Sequence, residues 1–107
     1  MSSDKKGYWI ITAVVTDPAE FQQYTAKAGP LIGKAGGKVL ARGDLFDVVE
    51  GSSAGRPFLI EFPSYDAAKE CFESEGYQAA IALRETSASF DIVIAEGAAP
   101  SGEPPLN

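Results

Sequence analysis

Residues 7–20 read GYWIITAVVTDPAE, a run dominated by β-branched and aromatic side chains that passes directly into a helix-start signature. Gly7 to Thr16 is too short and too β-rich for a helix. Alternation puts Trp9, Ile11, Ala13 and Val15 on one side and Tyr8, Ile10, Thr12 and Val14 on the other. Neither side is polar enough to sit in water, so the pattern predicts a central strand with both faces covered. Asp17 supplies an N-cap, Pro18 takes the first helical position, and Glu20 favours the helix dipole and can cap back.

Outward from this junction, Phe21, Tyr24, Ala28, Leu31, Ile32 and Ala35 recur at three- and four-residue spacing and predict one buried helical face. Gly29-Pro30 interrupts the pattern, and a kink or broken turn is expected there because Pro30 lacks a backbone donor. Gly36-Gly37 ends the helix. Lys38 to Glu50, KVLARGDLFDVVE, reads as two extended pieces with a bulge or bend at Gly43. Gly51 to Gly55 reads as a turn and Pro57 to Phe62 as a third strand, making a hairpin with the second. Ser64 can cap a second helix, broken near Gly76 and resuming at Ala80 to Leu83. Phe90 to Ala95, FDIVIA, is a fourth strand.

The resulting β-α-β-β-α-β order predicts an α+β, ferredoxin-like fold: a four-stranded antiparallel sheet with helices on one face. One domain is expected over residues 7–97, with a flexible N-terminus over 1–6 and a disordered tail over 98–107, where Ala, Pro and Gly lack periodicity. Because the first strand is apolar on both sides, a second copy of the chain is expected to cover the open sheet face as a homodimer.

Composition narrows the function. Of 107 residues, 45% are hydrophobic and 22% charged, as in ordinary globular domains. Fifteen acids against nine bases give a net charge of -6, with no basic run to neutralise consecutive phosphates, so nucleic acid and anionic membranes are poor partners. Met1 to Lys6 is polar, and no stretch approaches a membrane span, so a cytoplasmic, bacterial protein is expected. Cys71 stands alone and reads as a small core residue. Histidine is absent, which removes the commonest general base, the commonest metal ligand and every Ser-His or Cys-His pairing. The acids lack calcium-loop spacing, so neither a metal nor a cofactor is expected.

GYWI near the start, GPLI and KAGGKVLARG across the helix-to-strand junction, VVEG, IEFPSYDAA and SEGYQAAIALR carry a family resemblance. In order and spacing, from about Gly7 to Gly97, the chain resembles the uncharacterised bacterial family catalogued as domain of unknown function 1330. The resemblance implies a ferredoxin-like fold assembled into dimeric α+β barrels, shared with small heme-degrading and cofactor-free monooxygenases, and no established activity. Similar sequences often carry Trp, His or Pro around the break in the second helix, where this chain has Phe72 and Glu73-Ser74-Glu75-Gly76.

Among single residues, Glu61 interrupts an otherwise apolar strand placed centrally by the predicted order, so it is expected to be paired or protonated. It is either a structural partner in the sheet or a general base or binding carboxylate. Arg42, on the neighbouring strand, is the candidate partner and, if functional, would grip a carboxylate or carbonyl oxygen through its planar fork. Trp9 and Tyr77 are candidate cavity walls as well as candidate core, and Arg84 is a weaker ligand candidate that reads first as a surface residue snorkelling over apolar neighbours. Gly51 to Gly55 lacks the lysine and following helix of a phosphate loop.

Two function classes follow: a small-molecule-binding or assembly module, and a cofactor-independent oxygenase or isomerase acting on a small aromatic or carbonyl compound. In the second, Glu61 serves as base, Arg42 stabilises developing charge, and Trp9 and Tyr77 form the walls.

Overall fold

The structure, a computed structural model, describes residues 5–99. The expected flexible N-terminus and disordered tail therefore lie largely outside the described residues. Within them, the Gly97 N–H donates to the Lys6 carbonyl at 2.8 Å.

The chain runs through β1 (Gly7–Val15), α1 (Pro18–Lys34), β2 (Lys38–Ala41), β3 (Arg56–Phe62), α2 (Tyr65–Glu73), α3 (Glu75–Ile81), a 3-10 turn (Ala82–Arg84) and β4 (Ala88–Glu96). The strands form one antiparallel sheet in the order β2-β3-β1-β4, so β1 and β3 are central, as the split βαβ order requires. Alternation sends Trp9, Ile11 and Ala13 of β1 and Ile60 and Phe62 of β3 into the helix-covered face, where all are buried. Tyr24 and Ala28 of α1, Ala68 and Cys71 of α2, and Tyr77 and Ala80 of α3 close over them. Ile10 and Val93, cross-strand neighbours on the opposite face, are 47% and 58% exposed.

Local chemistry explains the element boundaries. Asp17 accepts from the Glu20 N–H at 3.1 Å and Pro18 opens α1. Glu20 does not cap back. Its carboxylate instead accepts from the Thr86 hydroxyl at 2.7 Å, tying α1 to the segment before β4. Gly36, at φ 87°, ends the helix in the left-handed region that favours glycine. Of the kink or broken turn expected at Gly29-Pro30, the broken turn is not made: α1 continues to Lys34 with Pro30 inside it. Gly29 has no Cβ to clash with the proline ring, and Ala26, whose carbonyl loses its donor, is exposed and can turn to solvent.

The second helix breaks where expected, near Gly76, with the interruption at Ser74. Ser74 has extended backbone and serves both helices, its Oγ donating to the Cys71 carbonyl at 2.7 Å and accepting from the Tyr77 N–H at 3.3 Å. A single hydroxyl thus closes α2 and opens α3, and Gly76 lies inside the new helix.

The largest departure concerns the second extended piece, expected beyond a bulge or bend at Gly43 and running to Glu50, which forms no strand. Strand β2 stops at Ala41, its register having slipped between Val39 and Ala41, and residues 42–55 form an irregular arm. Arg56 holds the root of the arm, donating through Nε to the Arg42 carbonyl at 2.8 Å and through Nη2 to Asp44 at 3.0 Å. Strand pairing there has been replaced by side-chain hydrogen bonds. Leu45 and Val49 on the arm are almost fully exposed.

Candidate functional site

The five residues singled out in the sequence fall in different places. Glu61 sits on the open face of the sheet, in register with Tyr8 on one side and Lys38 on the other. Its carboxylate accepts a 2.8 Å hydrogen bond from the Tyr8 hydroxyl. This bond raises the Tyr8 pKa above its ordinary 10.0, because the phenol's proton is held by a group that is already an anion. Arg42 is not the partner of Glu61: the two make no ion pair, and Arg42 lines a cleft on the helix-covered side. The β2 register slip and the early end of the strand set the two residues on opposite sides, which strand proximity alone could not reveal.

Trp9 is fully buried core. Its ring lies 5.0 Å from Phe62 and 5.0 Å from Tyr77, and its indole N–H donates to the Ala68 carbonyl at 2.9 Å. Tyr77 is likewise fully buried, and its hydroxyl shares a 2.6 Å hydrogen bond with that of Tyr24. Neither lines the cleft. Arg84 is buried rather than solvated: its guanidinium stacks 4.0 Å from the centre of the Phe90 ring and 5.2 Å from that of Tyr24. Its Nε has no hydrogen-bond partner among the described residues.

The cleft has a volume of about 290 Å³ and opens between α1 and the sheet. Ile11, Phe58 and Ile60 form its floor, and Tyr24, Ala28 and Ile32 hang over it from α1. Phe90 and Phe21 close one flank, and Val39 and Arg42 stand at the β2 side. The cleft arises because Ala28 and Gly29 are the small members of the α1 face, leaving space where larger side chains would meet the strands. Among the described lining residues the polar side chains are Tyr24, Thr25 and Arg42, with no carboxylate.

Tyr24 joins this cleft to the buried cluster behind it. Burial and the neighbouring Tyr77 phenol hold its pKa far above 10.0, while Arg84 opposes them weakly. Tyr24 therefore stays neutral and can offer or accept a hydrogen bond without bringing charge into an apolar site. A folded-state pKa above the unfolded one contributes stability that is fully present below the ordinary phenol value and lost as pH rises, because the unfolded chain gives up a proton the native chain keeps. Stability is thus expected to fall from about pH 9 to about pH 11, and Tyr24→Phe should flatten that slope. Urea midpoints across this range check it; an unchanged slope in the variant would contradict the assignment, since the Tyr8 contribution of the same sign is retained.

Tyr24, Phe90 and Arg56 were not singled out in the sequence as site residues. Tyr24 and Phe90 look there like ordinary apolar-face residues, and nothing along the chain marks Arg56 as the anchor of the arm.

Sheet order, one-sided helices and a cleft beneath the first helix together define a ferredoxin-like α+β protein. The chain belongs to the family described as a domain of unknown function (DUF1330), whose model matches residues 6–98. None of the curated proteins matches the chain. Among solved structures it is similar to the RPA0582 protein of unknown function from Rhodopseudomonas palustris, with a TM-score of 0.69 and 18% identity over 91% of this chain and 85% of that one. It is also similar to SnoaB, a cofactor-independent oxygenase from Streptomyces nogalater, with a TM-score of 0.54 and 12% identity over 94% of this chain and 100% of that one. At these identities the likeness is one of fold. No helix among the described residues is long and apolar enough to cross a membrane.

Proposed function

We propose that the protein is a homodimeric small-molecule-binding module whose ligand seats in the cleft beneath α1. The observation that carries this reading is the cleft itself: an apolar hollow with four aromatic rings in its lining and a few polar groups at defined positions, near the lower end of the usual size range for ligand sites. Its volume suits a molecule of one or two rings. Titrating one- and two-ring aromatic compounds into the full-length isotope-labelled chain tests it. The expected result is saturable NMR shifts at Tyr24, Ala28 and Ile60 that vanish in Thr25→Trp, where an exposed helical position at the lining receives a ring large enough to cover it. Shifts scattered over the surface, or persisting in Thr25→Trp, would count against the reading.

The enzymatic alternative, a cofactor-independent oxygenase or isomerase, draws on the likeness of fold to SnoaB. It used Glu61 as base, and that carboxylate lies across the sheet from the cleft, bonded to Tyr8. Binding is accordingly the reading we carry forward.

Dimerisation is supported by apolar exposure in two places at once. Ile10 and Val93 lie side by side on the open face with Val14 further along β1, and the arm carries Leu45, Phe46, Val48 and Val49. A two-fold axis through the open face would set that patch against its own equivalent, and the exposed arm could reach over the second copy. Sedimentation at micromolar concentration is expected to give twice the 11.3 kDa chain mass, and Ile10→Asp with Val93→Asp, both at exposed positions, to give the single mass with the fold retained. A wild-type chain that sediments as a monomer would remove this part of the proposal.

A further inference from the structure

We infer that the ligand of this cleft is a flat apolar anion, an aromatic carboxylate of one or two rings whose charged group meets Arg42; this rests on the cleft being the binding site. The argument is one of charge. The chain carries a net charge of -6, yet among the described residues the cleft is lined by one cation and no anion. Arg42 makes no ion pair or side-chain hydrogen bond among them, whereas Arg56 is occupied by Asp44 at 3.0 Å. Arg42 lines the same cleft as Phe58, Val39 and Ile60, and a guanidinium there can bind a carboxylate through two parallel hydrogen bonds, in surroundings that the ligand's ring would dry further.

Two other features point the same way. The Arg42 backbone is fixed, because its carbonyl accepts from the Arg56 Nε at 2.8 Å, so its side chain starts from an anchored root rather than a loose arm. A second cation, Arg84, lies buried behind the cleft wall, stacked on Phe90 and Tyr24, with no ion pair among the described residues. A buried cation without an ion pair makes the electrostatic potential of the adjoining cavity more positive, which favours an anion there and disfavours a cation. Tyr24, held neutral, adds a hydroxyl to the lining without adding negative charge.

The test compares 2-naphthoate with 2-naphthamide, which keeps the ring system and planarity and lacks the charge. Both are titrated by NMR into the full-length chain and into Arg42→Gln at pH 7. The naphthoate is expected to bind the wild type about tenfold or more tightly than the amide, and Arg42→Gln to erase the preference while the amide's affinity stays put. Equal or tighter binding of the amide overturns the anion assignment, and a preference that survives Arg42→Gln overturns Arg42 as the group the carboxylate meets; either leaves the cleft as a binding site. Failure of both compounds to shift the cleft resonances at millimolar concentration overturns the cleft reading and this inference with it.

Discussion

Trp9→Ala is expected to lower the unfolding free energy by about 3–5 kcal/mol, the range for removing a fully buried large aromatic ring. The indole is inaccessible to solvent and packs against Phe62, Phe72 and Tyr77, so the vacated space is walled by rings that belong to three different elements. They cannot collapse together without moving the sheet against the helices. The substitution also strips the Ala68 carbonyl of its 2.9 Å donor. A domain of this size has about 5–15 kcal/mol in hand, so the variant should be marginally folded. Trp9→Phe is the milder companion, losing the hydrogen bond and part of the ring volume for about 1–3 kcal/mol. Urea unfolding followed by far-ultraviolet circular dichroism measures both, since Trp9 is the chain's single tryptophan and its fluorescence disappears with it. A Trp9→Ala loss below about 1 kcal/mol would mean that the ring is not a core residue.

Gly7→Ala, the addition of a single methyl group in β1, is expected to cost about 1–3 kcal/mol or more, from overpacking alone. A Cβ at position 7 would run into the Ser64 carbonyl oxygen and come within 2.7 Å of the Tyr65 Cα. Both are backbone atoms, so no side-chain rotation can relieve the clash. Ser64 is also constrained from its other side: it caps α2, its Oγ accepting from the Ala67 N–H at 3.0 Å and its carbonyl from the Ala68 N–H at 3.1 Å. Either the start of β1 leaves its pairing with Phe62 and Glu96, or the first turn of α2 shifts. Gly33→Ala is the control. A Cβ there meets nothing within 4 Å, and the exposed helical site should gain about 0.5–1 kcal/mol from helix propensity. If the two substitutions give the same change in urea midpoint, the close approach of β1 to α2 is not what holds position 7 to glycine.

Much of the fold is legible along the chain because its signals are local. The caps at Asp17 and Ser64 need only a side-chain oxygen and an N–H three residues on, and both form. The failures come where a distant group intervenes. Residues 42–50 have strand-like composition, but Arg56 ties the Arg42 carbonyl and Asp44 into a different arrangement, and no local pattern announces an anchor on another strand. The proline break was overruled for a simpler reason, since the affected backbone faces solvent.

The candidate site was less legible than the fold. Arg42 was singled out for its planar fork and does reach a cleft, but not beside Glu61, because a one-residue slip in strand register moves a side chain to the other face. Trp9 and Tyr77 were read both as walls and as core, and only packing could separate the two, since an amphipathic aromatic has the same composition signature in either place.

By itself, then, the amino-acid sequence determined the element order, the caps, the central position of β1 and the absence of histidine chemistry, since each depends on residue type and short-range spacing. Tertiary structure alone decided which face each strand side chain occupies, that Tyr24, Tyr77 and Arg84 meet from three separate segments, and that a small-residue stretch of α1 leaves a cleft above the sheet. These are matters of register and of the space left between elements, and they come into being only when segments far apart in the chain are packed together.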